Sequence, residues 1–178
     1  MAGLSEPRPR LRLVFLGCGA ITAAHSKTLR AFRDRVQCFY ASRDADKAAS
    51  FEERFRGGGS FGSYEAALAD GRMQAAFVAT PPPFHLPLTL QALRAGKDVI
   101  VEKPPFLRSA DCNVVRAVQQ ETGRRVMVAE NYAYKPVARV LRGLLDTRTV
   151  GDLRFVAINA LKYQTTEGIR NLPETPGH

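Results

Sequence analysis

The sequence predicts an α/β fold, a doubly wound parallel sheet, and three observations predict it. Short, densely apolar runs recur at Leu11 to Leu16, Val36 to Ala41, Ala75 to Thr80, Val99 to Val101 and Val126 to Ala129. Between them lie segments whose apolar residues recur at helical spacing. A glycine pair, Gly17 and Gly19, closes the first run and opens the first helical segment. Strands that are apolar throughout are buried on both faces, and helices between them imply parallel pairing through crossovers.

The elements follow in order. After Leu11 to Leu16, the residues Ile21, Ala24, His25, Thr28, Leu29 and Phe32 mark a helix. Val36 to Ala41 is rich in β-branched and aromatic residues, as a strand should be. Asp46 to Phe55 reads as a helix with Ala48, Phe51 and Phe55 on one face, broken by Gly57-Gly58-Gly59. A short strand at Ser60-Phe61 and a small helix from Tyr64 to Leu68 come next. The strand from Ala75 to Thr80 stops at Pro81-Pro82-Pro83. A helix follows with Leu86, Leu90 and Leu93 on its inner side, and Gly96 ends it. Val99 to Val101 is a strand, Ser109 is the expected N-cap of a helix reaching Thr122, and Gly123 closes that helix. Residues 10–130 account for one domain.

The pattern then changes. A helix from Pro136 to Asp146 is expected to bury Val137, Val140, Leu141, Leu144 and Leu145. Gly151 breaks the pattern, and Leu153 to Tyr163 reads as a long strand. One helix and one strand do not cover each other's apolar faces. Residues 131–178 therefore read as the opening of an incomplete α+β second domain.

Bulk properties narrow the function. Hydrophobic residues make up 45% of the chain, enough for a real core. No apolar run approaches the roughly 18 residues a membrane helix needs. The start of the chain has no apolar segment of signal-peptide type before Leu13. Cys18, Cys38 and Cys112 lack C-x-x-C spacing and histidine partners, so they read as reduced core or near-core thiols of a cytoplasmic protein, with no metal site. The net charge of +9 is spread over every segment. That favours attraction of anionic small molecules over a nucleic-acid stripe.

Three stretches could carry chemistry. Gly17-Cys18-Gly19-Ala20-Ile21-Thr22 follows a strand and opens a helix, the setting of the Rossmann G-x-G-x-x-G fingerprint. Glycines allow the tight turn, and helix N–H groups meet a pyrophosphate. Thr22 stands in the third glycine's place. At the second strand's end, Ser42 and Arg43 replace the acid that would take a ribose 2′-hydroxyl. This favours a 2′-phosphate and NADP(H) over NAD(H), although the same residues also suit a surface turn with Asp44 as a helix N-cap. Glu102-Lys103-Pro104-Pro105 follows a buried strand, where a lysine can polarise a carbonyl; a solvated Glu–Lys pair is the equal alternative. His25 reads as a packed core histidine. His85, after the Thr80-Pro81 corner, is a candidate ligand contact.

Taken together, Gly17 to Ile21 with His25, Ala79 to Pro82 with His85, Ala95 to Val99, Glu102 to Pro104, Glu130-Asn131-Tyr132 and Val150 to Leu153 resemble the Gfo/Idh/MocA oxidoreductase family. The resemblance implies a Rossmann domain followed by a domain with a large open antiparallel sheet. It implies hydride transfer between a nicotinamide cofactor and a sugar, polyol or related carbonyl compound. Lys103 would bind the reacting oxygen, Glu102 would lie by the nicotinamide ribose, and Thr80, Pro81 and His85 would line the cofactor groove. Asn131 would sit at the domain junction. The family's second catalytic motif, Asp-x-x-x-His, has no counterpart before His178. The chain is therefore expected to be truncated and to retain cofactor binding better than turnover. The alternative is a nucleotide-binding module without turnover. A homo-oligomer is expected of a full-length form and not of this chain.

Overall fold

The computed structural model describes residues 9–149, 151–157 and 159. The chain divides into two compact units between Asn131 and Tyr132. The first contains β1 (Leu11–Leu16), α1 (Ala20–Leu29), β2 (Val36–Ala41), α2 (Ala45–Phe55), β3 (Ser60–Phe61), α3 (Tyr64–Ala69), β4 (Ala75–Val78), α4 (His85–Arg94), β5 (Asp98–Val101), α5 (Ser109–Thr122) and β6 (Val126–Val128). The sheet order is β3-β2-β1-β4-β5-β6 and every pair is parallel. This is the Rossmann order, which reverses direction between β1 and β4.

Both faces of the sheet are buried, because side chains alternate along each strand. Val14 and Leu16 of β1 join Phe39, Ala76, Val78, Leu88, Leu93 and Val115 in one core, so α4 and α5 cover that face. Leu13 and Phe15 point the other way, with Tyr40, Ala48, Phe55 and Phe77, so α2 covers the opposite face. Phe15 stacks on both Tyr40 and Phe77, at centroid distances of 5.8 and 5.1 Å. No described helix is long and apolar enough to cross a membrane.

Most predicted caps are present. Asp44 caps α2, its Oδ1 accepting from the Lys47 N–H at 3.1 Å. Gly96 and Gly123 take left-handed φ values of 74° and 67° after α4 and α5. Ser109 is not the cap of α5. The cap is Arg108, and Asp111 three residues on accepts from the Arg108 N–H at 3.2 Å. A carboxylate at N3 reaches back to the free N–H, so the half-box works without a hydroxyl at the cap. Cys112 is also corrected: it is exposed on α5, while Cys18 is buried and Cys38 partly buried.

A 3-10 turn spanning Asn131–Tyr134 runs across the division of the chain and leads to α6 (Pro136–Asp146), with Pro136 in its first turn. The expected burial of Val137, Val140, Leu141, Leu144 and Leu145 is not found, as all five are exposed. Helical spacing makes an apolar stripe, but only a packing partner buries it. Leu153 to Ala157 belong to no regular element, so this part of the predicted strand is absent. An extended segment becomes a strand only by pairing its backbone with another. Of the rest of that predicted strand, residues 158 and 160–163 lie outside the described residues.

Candidate functional site

The carboxyl ends of β1, β2, β4 and β5 define the candidate site. At β1 the chain turns sharply at Gly17, whose φ is 107° and whose N–H donates to the Ala41 carbonyl at 2.9 Å. A Cβ at Gly17 would lie 2.8 Å from the Ala79 carbonyl oxygen, so only glycine lets β1 and β4 end side by side. Thr22 is fully buried, and its hydroxyl donates to the Gly17 carbonyl at 2.6 Å. The residue in the third glycine's place thus braces the loop from inside the first helical turn.

Gly19 is the N-cap of α1 and offers no side chain to it. A Cβ there would meet nothing within 4 Å, so the loop is open on that side. The first-turn N–H groups from Ala20 and Ile21 onward are left for an incoming anion. Cys18 turns inward, its thiol donating to the Ala41 carbonyl at 3.7 Å. Burial pushes its pKa up to about 11, opposed by Lys47 and aided by Asp44. Burial likewise raises Cys38 to about 11. Neither is a nucleophile at neutral pH, since the thiolate is the reactive form. A maleimide or Ellman titration of the native chain at pH 7.5 should label Cys112 rapidly and leave the other two until denaturant is added. Rapid reaction of two or more thiols would contradict this.

At the end of β2, Ser42 is buried and its Oγ accepts from the Asp44 N–H at 3.2 Å. Arg43 is exposed, with its guanidinium 5.6 Å from the centre of the Phe84 ring. Arg43, Tyr64, Thr80, Pro81 and Phe84 line one cavity of about 200 Å³. The surface-turn and ligand-binding alternatives are therefore not exclusive here: Asp44 ends the turn, and Arg43 overhangs a concavity shared with the β4 loop. Thr80 Oγ1 is buried and has no hydrogen-bond partner among the described residues. Such a group is costly without a partner, and a ligand's polar atom would satisfy it.

His85 is 1% exposed. Its Nε2 lies 2.7 Å from the Thr80 carbonyl and its Nδ1 2.8 Å from the Pro104 carbonyl. The ring ties the loop after β4 to the loop after β5. It supports the groove from behind.

At the end of β5, Glu102 anchors to the sheet through its N–H, which donates to the Val78 carbonyl at 3.0 Å. Its Oε2 accepts from the Lys103 N–H at 3.1 Å, and its Oε1 pairs with His25 Nε2 at 2.9 Å. His25 is therefore not a packed core histidine. Its side chain is 39% exposed and leans on Phe77 at a centroid distance of 4.7 Å. The helical spacing that placed His25 on an apolar face did not reveal that this face ends at the site. Lys103 is exposed, its ammonium makes no hydrogen bond or ion pair among the described residues, and the Lys103–Pro104 peptide is cis. Asn131 opens the turn beyond β6, exposed, and makes no hydrogen bond to these groups.

Two site members were not legible as such in the sequence. His25 was assigned to the core, and Phe84 was one of ten phenylalanines with nothing local to distinguish it. Only its place beneath Arg43 gives it meaning.

A parallel sheet in 3-2-1-4-5-6 order, with a glycine turn and an uncapped helix at its switch point, defines a dinucleotide-binding domain. The family model described as an oxidoreductase family with an NAD-binding Rossmann fold, GFO_IDH_MocA, matches residues 11–130. The chain belongs to this family. It is 30% identical over 167 residues to trans-1,2-dihydrobenzene-1,2-diol dehydrogenase of Sus scrofa, covering 93% of this chain and 48% of that protein. It is 34% identical over 161 residues to dTDP-3,4-didehydro-2,6-dideoxy-alpha-D-glucose 3-reductase of Streptomyces violaceoruber, covering 88% and 46%. Among solved structures, it is similar to a 3-ketoreductase from Actinomadura kijaniata in complex with TDP-benzene and NADP. There the TM-score is 0.74 at 29% identity, over 82% of this chain and 46% of that one. The chain thus spans about half the length, or less, of the relatives it matches. The cofactor class of the family's Rossmann domain is a nicotinamide dinucleotide. The open loop at Gly19 and the unpartnered Thr80 hydroxyl fit such a ligand.

Proposed function

We propose that this chain is the cofactor half of an NADP(H)-dependent oxidoreductase acting on a sugar, polyol or diol, or the matching carbonyl compound. The observation that carries the cofactor preference is that Arg43 shares one cavity with Thr80 and Pro81, with no carboxylate at the end of β2 before Asp44; Glu65 of α3 also lines that cavity. Pyrophosphate would meet Gly17, Gly19 and the N–H groups of Ala20 and Ile21, with Cys18 contributing backbone only. Ser42 and Arg43 would take the 2′-phosphate, the guanidinium by charge-assisted hydrogen bonds. Phe84 would keep Arg43 in place from below.

The bound nicotinamide supplies or accepts the hydride. Lys103 holds the substrate oxygen: in reduction its ammonium donates a proton as the carbonyl oxygen gains charge, and in oxidation the neutral amine takes that proton back. Glu102 fixes the Lys103 backbone and is itself held by His25. Asn131 would contact the cofactor. Sugar or diol chemistry is favoured by the relatives named above, a diol dehydrogenase and a sugar reductase.

The test is a fluorescence titration of the chain with NADPH and NADH. NADPH is expected to bind more tightly. Arg43→Ala should weaken NADPH by roughly 10- to 100-fold, since a charge-assisted hydrogen bond contributes about 1.5–3 kcal/mol, and leave NADH nearly unchanged. An unchanged NADPH/NADH ratio in that variant removes the 2′-phosphate role, and binding of neither nucleotide removes the proposal.

A further inference from the structure

The opposite edge of the sheet, where the strands begin, holds a second concavity. Arg10 precedes β1, Arg30 and Arg33 lie on the 3-10 turn after α1 and at its end, and Arg56 follows α2. These four arginines come from three places in the sequence and line one cavity of about 120 Å³. Its floor includes Tyr40 and Ser26. No carboxylate lines it. Glu52 on α2 is engaged by the Ser60 hydroxyl at 2.8 Å.

None of the four guanidinium groups has an ion pair or side-chain hydrogen bond among the described residues. Helix C-termini do face this edge, and each contributes roughly half a negative charge. Two such ends offset about one of four positive charges. Roughly three remain uncompensated around a concave, partly apolar surface, which focuses the field into it.

Two further observations point inward. Arg56 has φ 53° and ψ 56°, the left-handed conformation in which glycine is least strained, and three glycines follow it directly. A long cationic side chain is held at a position where the backbone would favour none. The second is Ser26, 2% exposed. Its Oγ accepts from the Tyr40 hydroxyl at 3.1 Å and retains its own proton for another acceptor.

The cavity is well below the roughly 300 Å³ at which pockets for drug-sized ligands begin, so it does not fit a nucleotide. It suits one compact, multiply charged oxyanion, and guanidinium forks match phosphate oxygens in pairs. We propose that this cavity binds a dianionic phosphoryl group, either inorganic phosphate or the phosphate end of a small monoester. The site is independent of the cofactor loop: β1, six residues long, separates them by roughly 20 Å.

The test uses the isotope-labelled 178-residue chain. Sodium phosphate is titrated in against sodium chloride at constant ionic strength, following arginine Nε–Hε and Gly57 to Gly59 amide resonances. Saturable shifts with a millimolar or lower Kd are expected, unchanged by saturating NADPH. Arg56→Gly suits the left-handed backbone, so it should keep its phosphate-free Tm and lose at least tenfold in affinity. The double variant Arg30→Gln with Arg33→Gln should lose as much. Methyl phosphate binding more tightly than phosphate identifies the monoester, and the reverse order identifies the free ion. Shifts that never saturate, that persist unchanged in Arg56→Gly, or that NADPH abolishes overturn the proposal.

Discussion

Gly17→Ala should both destabilise the protein and abolish dinucleotide binding. The φ of 107° is strained for any residue with a Cβ, at about 1–3 kcal/mol. The new methyl would also press on the Ala79 carbonyl at 2.8 Å and the Thr80 Cγ2 at 3.2 Å. The first of these is backbone at the end of a buried strand and yields little, which adds about 1–3 kcal/mol. Together these lower the Tm by roughly 10–20 °C, at about 4 °C per kcal/mol for a domain of this size. Gly19→Ala is the matching control. Its added methyl meets no protein atom within 4 Å, and its φ of −112° suits alanine. That variant should melt within about 2 °C of the parent, on the scale of a surface substitution, yet bind NADPH at least tenfold more weakly, because the methyl intrudes where the ligand approaches. Differential scanning fluorimetry and an NADPH titration read both variants. A Gly17→Ala protein with the parent Tm would contradict the close approach of β1 and β4.

The second large effect is expected at Lys103. Lys103→Met keeps the length and apolar stem but removes the proton. Hydride transfer should fall by about 10²- to 10⁴-fold, the range for loss of a general acid–base group. NADPH affinity should change by less than about threefold, because the Lys103 ammonium holds nothing else among the described residues. The measurement, made in a full-length form that carries the second domain, is single-turnover decay of NADPH absorbance with an excess of a ketosugar, and the reverse reaction with a trans-dihydrodiol. Equal rates in parent and variant would reject the catalytic assignment. A parallel loss of NADPH binding would instead make Lys103 a cofactor contact.

Sequence reading succeeded where a feature is local. The edges of β1, β2 and α6, the Asp44 cap and the left-handed glycines after α4 and α5 follow from side-chain periodicity and backbone preferences within a few residues. It failed where the answer depends on what lies across space. Ser109 has the hydroxyl of a cap, but Asp111 reaches back to Arg108 instead. The apolar stripe of α6 looks like a buried face, yet its five large residues are exposed. His85 stands beside a groove in the sequence, but both of its nitrogens are turned to backbone carbonyls inside the protein.

The sequence by itself determined the alternation of strands and helices, the parallel sheet, and the glycine turn that opens a phosphate-binding helix. Periodicity, apolar run length and glycine's conformational range are properties of short segments, so they can be read without coordinates. Tertiary structure alone decided that His25 belongs to Glu102, that Arg43 overhangs Phe84 and Thr80, and that Arg10, Arg30, Arg33 and Arg56 share a cavity. In the sequence those arginines are simply dispersed. Their convergence arises because parallel strands bring the starts of β1 and β2 and the ends of α1 and α2 to the same edge, and charge acts through distance in space rather than along the chain.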